Sequence, residues 1–348
     1  RLHYNGNEVT MSDNKEGVTR RGFLQAAGAG VAALGAAACG AGSLAQSAEA
    51  PKEEKPAGKS RVVLVRDPKS VSADEKVDAA AVGKMLDEGL LALFGTKTIE
   101  EGLEKVFTPK DVVGIRVNCN GQPGVVTQPA LAHAIASRLA RAKVPENNIV
   151  IWERREDELE SGGYKINTGK TGVRVLATDS DGFGFDEKET DFGSGKTCWS
   201  RIQSSLVTAS VNAPVVKTNT GFGITNAIKY VTGLINNPGE FHDNKGVPYC
   251  TDLYKHPVVK DKTRLVIADA LVILTDRGPH DDPRFHAVYG GILLGFDPVA
   301  VDRIAMEILE KVRGKPVRPF PDHVKHAGDN GLGVFDRERI ELVEKVIG

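Results

Sequence analysis

Apolar and polar positions along the chain alternate between two rhythms. Residues 61–65 (Arg-Val-Val-Leu-Val) are a short apolar run, the pattern of a strand buried on both faces. Over residues 78–94 the rhythm changes: Ala81, Met85, Leu86, Leu90 and Leu93 recur at helical spacing. Residues 111–118 return to a strand pattern. Residues 129–142 predict a helix with Pro129 suited to its first turn, and residues 148–152 predict a third strand. This order predicts a parallel or mixed sheet with helices on its faces.

Between residues 154 and 198 the pattern is broken into short pieces by Gly162, Gly163, Gly169, Gly172, Gly182, Gly184, Gly193 and Gly195, which predicts hairpins and loops. Regular spacing then returns, with a strand at 210–217, a helix at 226–234 and a strand at 263–274. A helix follows at 297–313, its apolar Val301, Ile304, Ala305, Ile308 and Val312 on one stripe, and a short closing helix at 338–346. The predicted fold is α/β: a mixed, mainly parallel sheet with flanking helices and a Gly-rich hairpin/loop insertion.

The first 59 residues follow neither rhythm. Thr19-Arg20-Arg21-Gly22-Phe23-Leu24-Gln25 places two arginines before an apolar pair, and residues 26–38 are almost wholly Ala, Gly, Val and Leu. That run is too short and weakly apolar for a membrane span and fits the apolar core of a signal sequence. Together the two segments resemble a twin-arginine export signal. The expected domains are residues 1–59, comprising upstream residues, signal peptide and charged linker, and residues 60–348, a single α/β domain. Met11 suits a start, and small-residue cleavage sites end at Ala45 and Ala50. Cys39 after Ala36-Ala37-Ala38 offers a lipid anchor as the alternative. The resemblance implies the twin-arginine translocase as a partner and a periplasmic or outer-surface location. Because that route carries folded cargo, it also implies a bound metal or cofactor.

Composition narrows the classes. The 348 residues are 41% hydrophobic, and Lys+Arg 45 nearly balances Asp+Glu 46, which excludes a disordered chain and a general nucleic-acid binder. Beyond the leader remain Cys119, Cys198 and Cys250, too far apart in sequence for Cys-x-x-Cys spacing, so no iron–sulfur cluster motif is present. Three buried thiols, or one disulfide with a thiol left over, are the two readings.

Three stretches carry candidate chemistry. Asn118-Cys119-Asn120-Gly121-Gln122-Pro123-Gly124 joins a strand to a helix, where glycine amides and a helix N-terminus can hold an anion. Residues 215–230 run Val-Val-Lys-Thr-Asn-Thr-Gly-Phe-Gly-Ile-Thr-Asn-Ala-Ile-Lys-Tyr, a strand ending in Lys217, a polar loop with Asn219 and Thr225, and a helix carrying Lys229. Two ammonium groups converging on hydroxyls and amides suit a carboxylate or phosphate. The alternative is one surface lysine and one salt-bridged lysine. The third set is His242, His256, His280 and His286 with neighbouring aspartates, and His323 with His326 at His-x-x-His spacing. His280 follows a strand directly and pairs with His242 as the favoured proton carriers or metal ligands. Asp269 and Asp302 read as capping or pairing residues.

In their order these motifs resemble a family known as domain of unknown function 362. They comprise Arg116-Val117-Asn118, Ile149 to Arg154, Val216-Lys217, Gly223 to Lys229, Gly233, Asn237-Pro238 with His242, Val266 to Leu271, Gly278-Pro279, Asp297 to Asp302, and Gly331-Leu332-Gly333. The family often has His where this chain has Asn219, and Asn where it has Tyr230. Some members carry a ferredoxin-like module that this chain lacks. A similarity to nickel-pincer lactate racemases is an analogy of fold only.

The expectation is an exported enzyme, redox or isomerising, acting on a small anionic ligand with a bound metal or cofactor. Asn118, Lys217, Asn219 and Thr225 bind that ligand, while Lys229, His242 and His280 do the chemistry, the two histidines also as metal ligands. The rival is a non-catalytic exported binding or accessory protein of a redox complex. An enzyme requires Lys217, Lys229, His242 and His280 in one pocket; an accessory protein leaves them scattered.

Overall fold

The structure, a computed structural model, describes residues 59–348. The export motif, the apolar run after it, the cleavage sites and Cys39 lie outside the described residues. The strands are β1 (Ser60–Arg66), β2 (Val113–Val117), β3 (Ile149–Glu153), β4 (Arg174–Ala177), β5 (Thr190–Asp191), β6 (Lys196–Thr197), β7 (Ala209–Ala213), β8 (Val215–Asn219), β9 (Gly223–Thr225), β10 (Thr263–Leu274), β11 (His286–Gly295) and β12 (Ile340–Val346). The helices are α1 (Ala79–Phe94), α2 (Ile99–Leu103), α3 (Pro129–Arg141), α4 (Glu156–Ser161), α5 (Tyr249–Lys255), α6 (Pro257–Lys260), α7 (Pro298–Arg313) and α8 (Asp322–Asp329). The sheet runs β12-β1-β11-β10-β7-β2-β3-β4, with β8 paired to β10 and β9 to β8. Only β11 and β9 run antiparallel to their neighbours within it. This is the expected mixed, mainly parallel α/β sheet.

Strand alternation divides the core into two layers. Val63 and Val65 belong to one layer with Met85 and Leu86 of α1 and Leu131 and Ile135 of α3. Val62 and Leu64 point the other way, into a layer with Ile304 and Leu309 of α7. The helix ends follow local rules. The Asp78 carboxylate accepts from the amides of Ala80 and Ala81 at the start of α1, and Gly95 closes that helix in the left-handed region at φ 63°.

Five expectations change. Residues 210–217 form two strands split at Pro214, which has no N–H to donate. Pairing of β7 with β2 ends at Ala213 opposite Val117, while β8 continues beside β10. Residues 226–234 contain only a 3₁₀ turn over Lys229–Leu234, because Asp302 of α7 takes the amides of Ala227 (2.6 Å) and Ile228 (3.0 Å). The closing segment is a strand, not a helix: β12 pairs in parallel with the whole of β1, from Ser60 opposite Ile340 to Arg66 opposite Val346. The Gly-rich stretch is more than an insertion, since it contains α4 and also β4, which extends the main sheet beside β3; only β5 and β6 form a separate hairpin. Finally, β11 fills a stretch for which no element is predicted. Cys119, Cys198 and Cys250 are all free thiols, the first and last buried and Cys198 half-buried. Among the described residues no helix is long and apolar enough to cross a membrane.

Candidate functional site

A cavity of about 550 Å³ opens where β2, β3 and β8 end at their carboxyl edges, the position ligands favour in α/β sheets. Pro214 helps to make it, because the chain stops pairing with β2 at that point and follows β10 instead.

Lys217 lies in the cavity floor. All five residues of β8 are buried, and its Nζ donates to Asn118 Oδ1 at 2.9 Å and to the carbonyl of Asn120. Burial drives its ammonium down to about 7, Lys229 adds to that, and Glu153 and Cys119 pull the other way. Gly121 (φ 148°) permits this approach: a Cβ there would lie 2.8 Å from the amine and 2.6 Å from the Val125 carbonyl.

Lys229 begins the 3₁₀ turn. It is also buried, and its ammonium sits 4.4 Å above the Phe222 ring with one long hydrogen bond, 3.5 Å to Thr232 Oγ1. Burial lowers its pKa. Among the described residues neither lysine has a carboxylate within salt-bridge range. The alternative of a surface lysine and a salt-bridged lysine is therefore set aside.

Beside them, Arg116 at the end of β2 pairs with Glu153 at the end of β3, both almost fully buried. The Glu153 carboxylate also accepts from the amides of Cys119 and Arg154, so its charge is spent locally. Glu158 of α4 lines the same cavity, and burial together with Glu153 pushes its carboxyl up to about 7. His242 stands at the exposed rim with Nδ1 2.6 Å from the Pro238 carbonyl and its ring edge-on to Phe222. That carbonyl accepts only, so Nδ1 carries the proton and Nε2 has the lone pair. Burial and Lys229 lower the pKa of His242. His280 is exposed and lines the cavity from the loop after β10.

Lys217, Lys229, His242, His280, Asn118, Asn219 and Thr225 therefore line one cavity. Two of them are largely engaged with the protein. Asn219 Oδ1 accepts from the amides of Gly221 and Phe222, and its Nδ2 donates to Thr225 Oγ1, which builds the turn into β9. The loop after β2 acts differently from expectation. It presents oxygens to Lys217, and the amide of Gln128, the residue before α3, donates to Asp269 at 2.8 Å. Asp269 and Asp302 are buried pairing residues, as read.

The other histidines lie elsewhere. His256 caps α6 and stacks on Trp199. His286 is held between Glu75 and Asp281, whose carboxylates outweigh burial and raise its pKa. His323 is wholly buried behind Phe222 and pushed down to about 3, whereas His326 bonds Thr251; the His-x-x-His pair does not converge. Among the described residues no three His, Cys, Asp or Glu side chains come together to hold a metal. Among the described residues His242 and His280 have no third protein ligand beside them and do not fit a metal site.

Arg116, Glu153, Arg154 and Glu158 also line the cavity, and the sequence reading does not reach them as site residues. A signal existed for the first two: each is a charge within an otherwise apolar strand run, Val-Gly-Ile-Arg-Val and Ile-Val-Ile-Trp-Glu.

A family model described as Domain of unknown function (DUF362) matches residues 113–307. Among solved structures the chain is similar to a Thermotoga maritima protein, at 10% identity and TM-score 0.40, over 69% of this chain and 60% of that one. It is also similar to the lactate racemase apoprotein from Thermoanaerobacterium thermosaccharolyticum, at 14% identity and TM-score 0.38, over 66% of this chain and 53% of that one. The chain thus spans less than two thirds of either structure. Comparison with curated proteins found no match.

Proposed function

The chain belongs to the Domain of unknown function (DUF362) family, and from that premise we propose that it is an enzyme whose cavity binds a small anionic substrate through Lys217 and Lys229. One observation carries this reading. Two buried lysines line a single cavity, and among the described residues neither has a carboxylate within salt-bridge range. A buried ammonium without a counter-charge is costly, and an anion entering the cavity removes that cost. Lys229, with one long hydrogen bond, has donors to give. Lys217, near its midpoint at neutral pH, holds or releases a proton. His242 exchanges protons at Nε2 at the rim, and His280 lines the same cavity.

No step is assigned to a metal, since the donor set does not fit one. The non-catalytic accessory reading calls for these groups to be scattered, and their convergence favours the enzyme. The Arg20-Arg21 motif supports export by the twin-arginine translocase to the periplasm or outer surface, with Cys39 as the lipid-anchor alternative. Replacing both arginines by lysine is expected to leave the protein inside the cell.

Calorimetric titration of the protein with oxalate at pH 7 tests the anion site. Binding is expected, and Lys229→Ala should weaken it by at least about tenfold, the scale of one charge-assisted hydrogen bond. Binding that is equally strong in Lys229→Ala would sink the reading.

A further inference from the structure

The anion-site reading leaves open what a buried, carboxylate-free amine does beyond holding charge. We infer that Lys217 is a carbonyl-directed nucleophile, forming an imine with a 2-oxo acid whose carboxylate rests on Lys229. The inference rests on the anion-site reading and gives that site a substrate class.

The geometry begins at the nitrogen. A neutral amine has two N–H bonds and one lone pair. The side-chain oxygen of Asn118 and the carbonyl of Asn120 are both acceptors on Nζ. They occupy the two N–H bonds, so the lone pair is the position left for a reaction partner. No carboxylate lies within 4 Å to fix the third proton of an ammonium, among the described residues. Lys217 and Lys229 line the same cavity, which sets a second cation near the first for the acid's carboxylate. Desolvation and a neighbouring cation are the two devices that activate lysine as a nucleophile. The titratable groups acting on Lys217 are Glu153 at the end of β3, Glu158 of α4, Cys119 in the loop after β2, and Lys229. Burial outweighs the anionic ones, and the amine is available near neutrality.

The step balances without a redox partner. The Lys217 nitrogen adds to the keto carbon and loses one proton as the carbonyl oxygen gains one, giving a carbinolamine. The C–O bond then breaks, the oxygen leaves as water with a second proton, and nitrogen and carbon share a double bond. The net change is amine plus ketone to imine plus water. Glu158, a carboxyl near its midpoint at neutral pH in the same cavity, and His242 are the groups placed to carry those protons.

The test is reductive trapping. The protein is incubated with pyruvate and cyanoborohydride from pH 6 to 9, then digested and mapped by mass spectrometry. The expected result is one carboxyethyl group per chain, on Lys217, formed at least about tenfold faster than on any other lysine and already at pH 7. Acetone, a ketone without the carboxylate, should label Lys217 poorly, and Lys229→Ala should reduce labelling by pyruvate. Mapping the label on the native protein needs no variant at Lys217, so the test stays decisive without one. Label spread over surface lysines, or placed on Lys229, overturns the inference. If oxalate binds but pyruvate leaves no label, the imine falls and the anion site stands. If neither occurs, both fall.

Discussion

A buried lysine with no carboxylate in salt-bridge range can keep its position only if its neighbours tolerate it both with and without a proton. Around Lys217 and Lys229 most nearby carboxylates are bonded elsewhere, and Glu158, in the same cavity, is raised to about 7. Glu153 is saturated by Arg116 and two amides. Asp269 is committed to Gln128 and Leu271, and Asp302 to Ala227 and Ile228. The Arg116–Glu153 pair in turn depends on a glycine, since a Cβ on Gly233 would collide with the Arg116 guanidinium. Gly233→Ala is therefore expected to push the guanidinium off Glu153 and leave a buried carboxylate unpaired. The loss should be about 2–3 kcal/mol of stability, read by urea unfolding. The freed Glu153 charge should then move toward Lys217 and weaken oxalate binding in calorimetry. Unchanged unfolding and binding would show that Arg116 has room to spare.

At the scale of elements, the site depends on α7 reaching across to a segment that forms no α-helix of its own. Asp302 replaces the first helical hydrogen bonds of residues 226–234 and so sets where Lys229 starts its turn. Asp302→Ala orphans two buried amides and should cost about 3 kcal/mol, with weaker anion binding; Asp302→Asn, which keeps one acceptor, should recover roughly half. Urea unfolding of the three proteins checks the order. This dependence also explains what the sequence could not reveal. Helices α1, α3 and α7 and strands β1 to β3 and β10 were legible because burial period and capping residues agree there, as in Asp78 with Ala81, Met85 and Leu90. The 226–234 segment has helical spacing, yet a carboxylate 75 residues away takes its amides. In β12, Ile340, Val343 and Val346 recur every third residue, which reads as helix until β1 supplies a parallel partner. In β11, Gly290 and Gly291 mask the strand. The lysines and histidines of the site were legible by residue type and position after strands. The Arg116–Glu153 pair was not, because the adjacency of β2 and β3 is a property of the sheet.

The whole molecule sums these buried charges into a dependence of stability on pH. In the fold Asp269 and Asp302 are both raised to about 7 by burial, against an ordinary value of 3.8. Between pH 4 and 7 the folded state thus holds protons that the unfolded chain has released, and stability falls as pH rises. His323 acts in the opposite sense, since burial lowers it from 6.5 to about 3 and it adds stability as pH rises toward 6.5. Glu158, also raised to about 7, and the raised Asp297 and His286 add to the fall, while His133, His242 and His256, shifted less than His323, oppose it. The three carboxylates at about 7 set the net sign. Above pH 7 the sign reverses. The unfolded chain keeps the Lys217 proton up to about 10.5 while the folded state gives it up near 7, so stability rises with pH, and Lys229 adds in the same direction. Each such group changes stability by about 1.4 kcal/mol per pH unit inside its window. The expected profile is a minimum near pH 7, about 2 kcal/mol below the values at pH 5 and 9, measured by urea unfolding at the three values. Lys217→Met should flatten the alkaline arm and Asp269→Asn the acidic arm. Saturating oxalate should fill in the dip at pH 7 more than it stabilises the protein at pH 9, because an anion on the lysines favours their charged form. A profile that rises or falls monotonically from pH 5 to 9 in the native protein would mean that these buried groups do not titrate as their surroundings dictate.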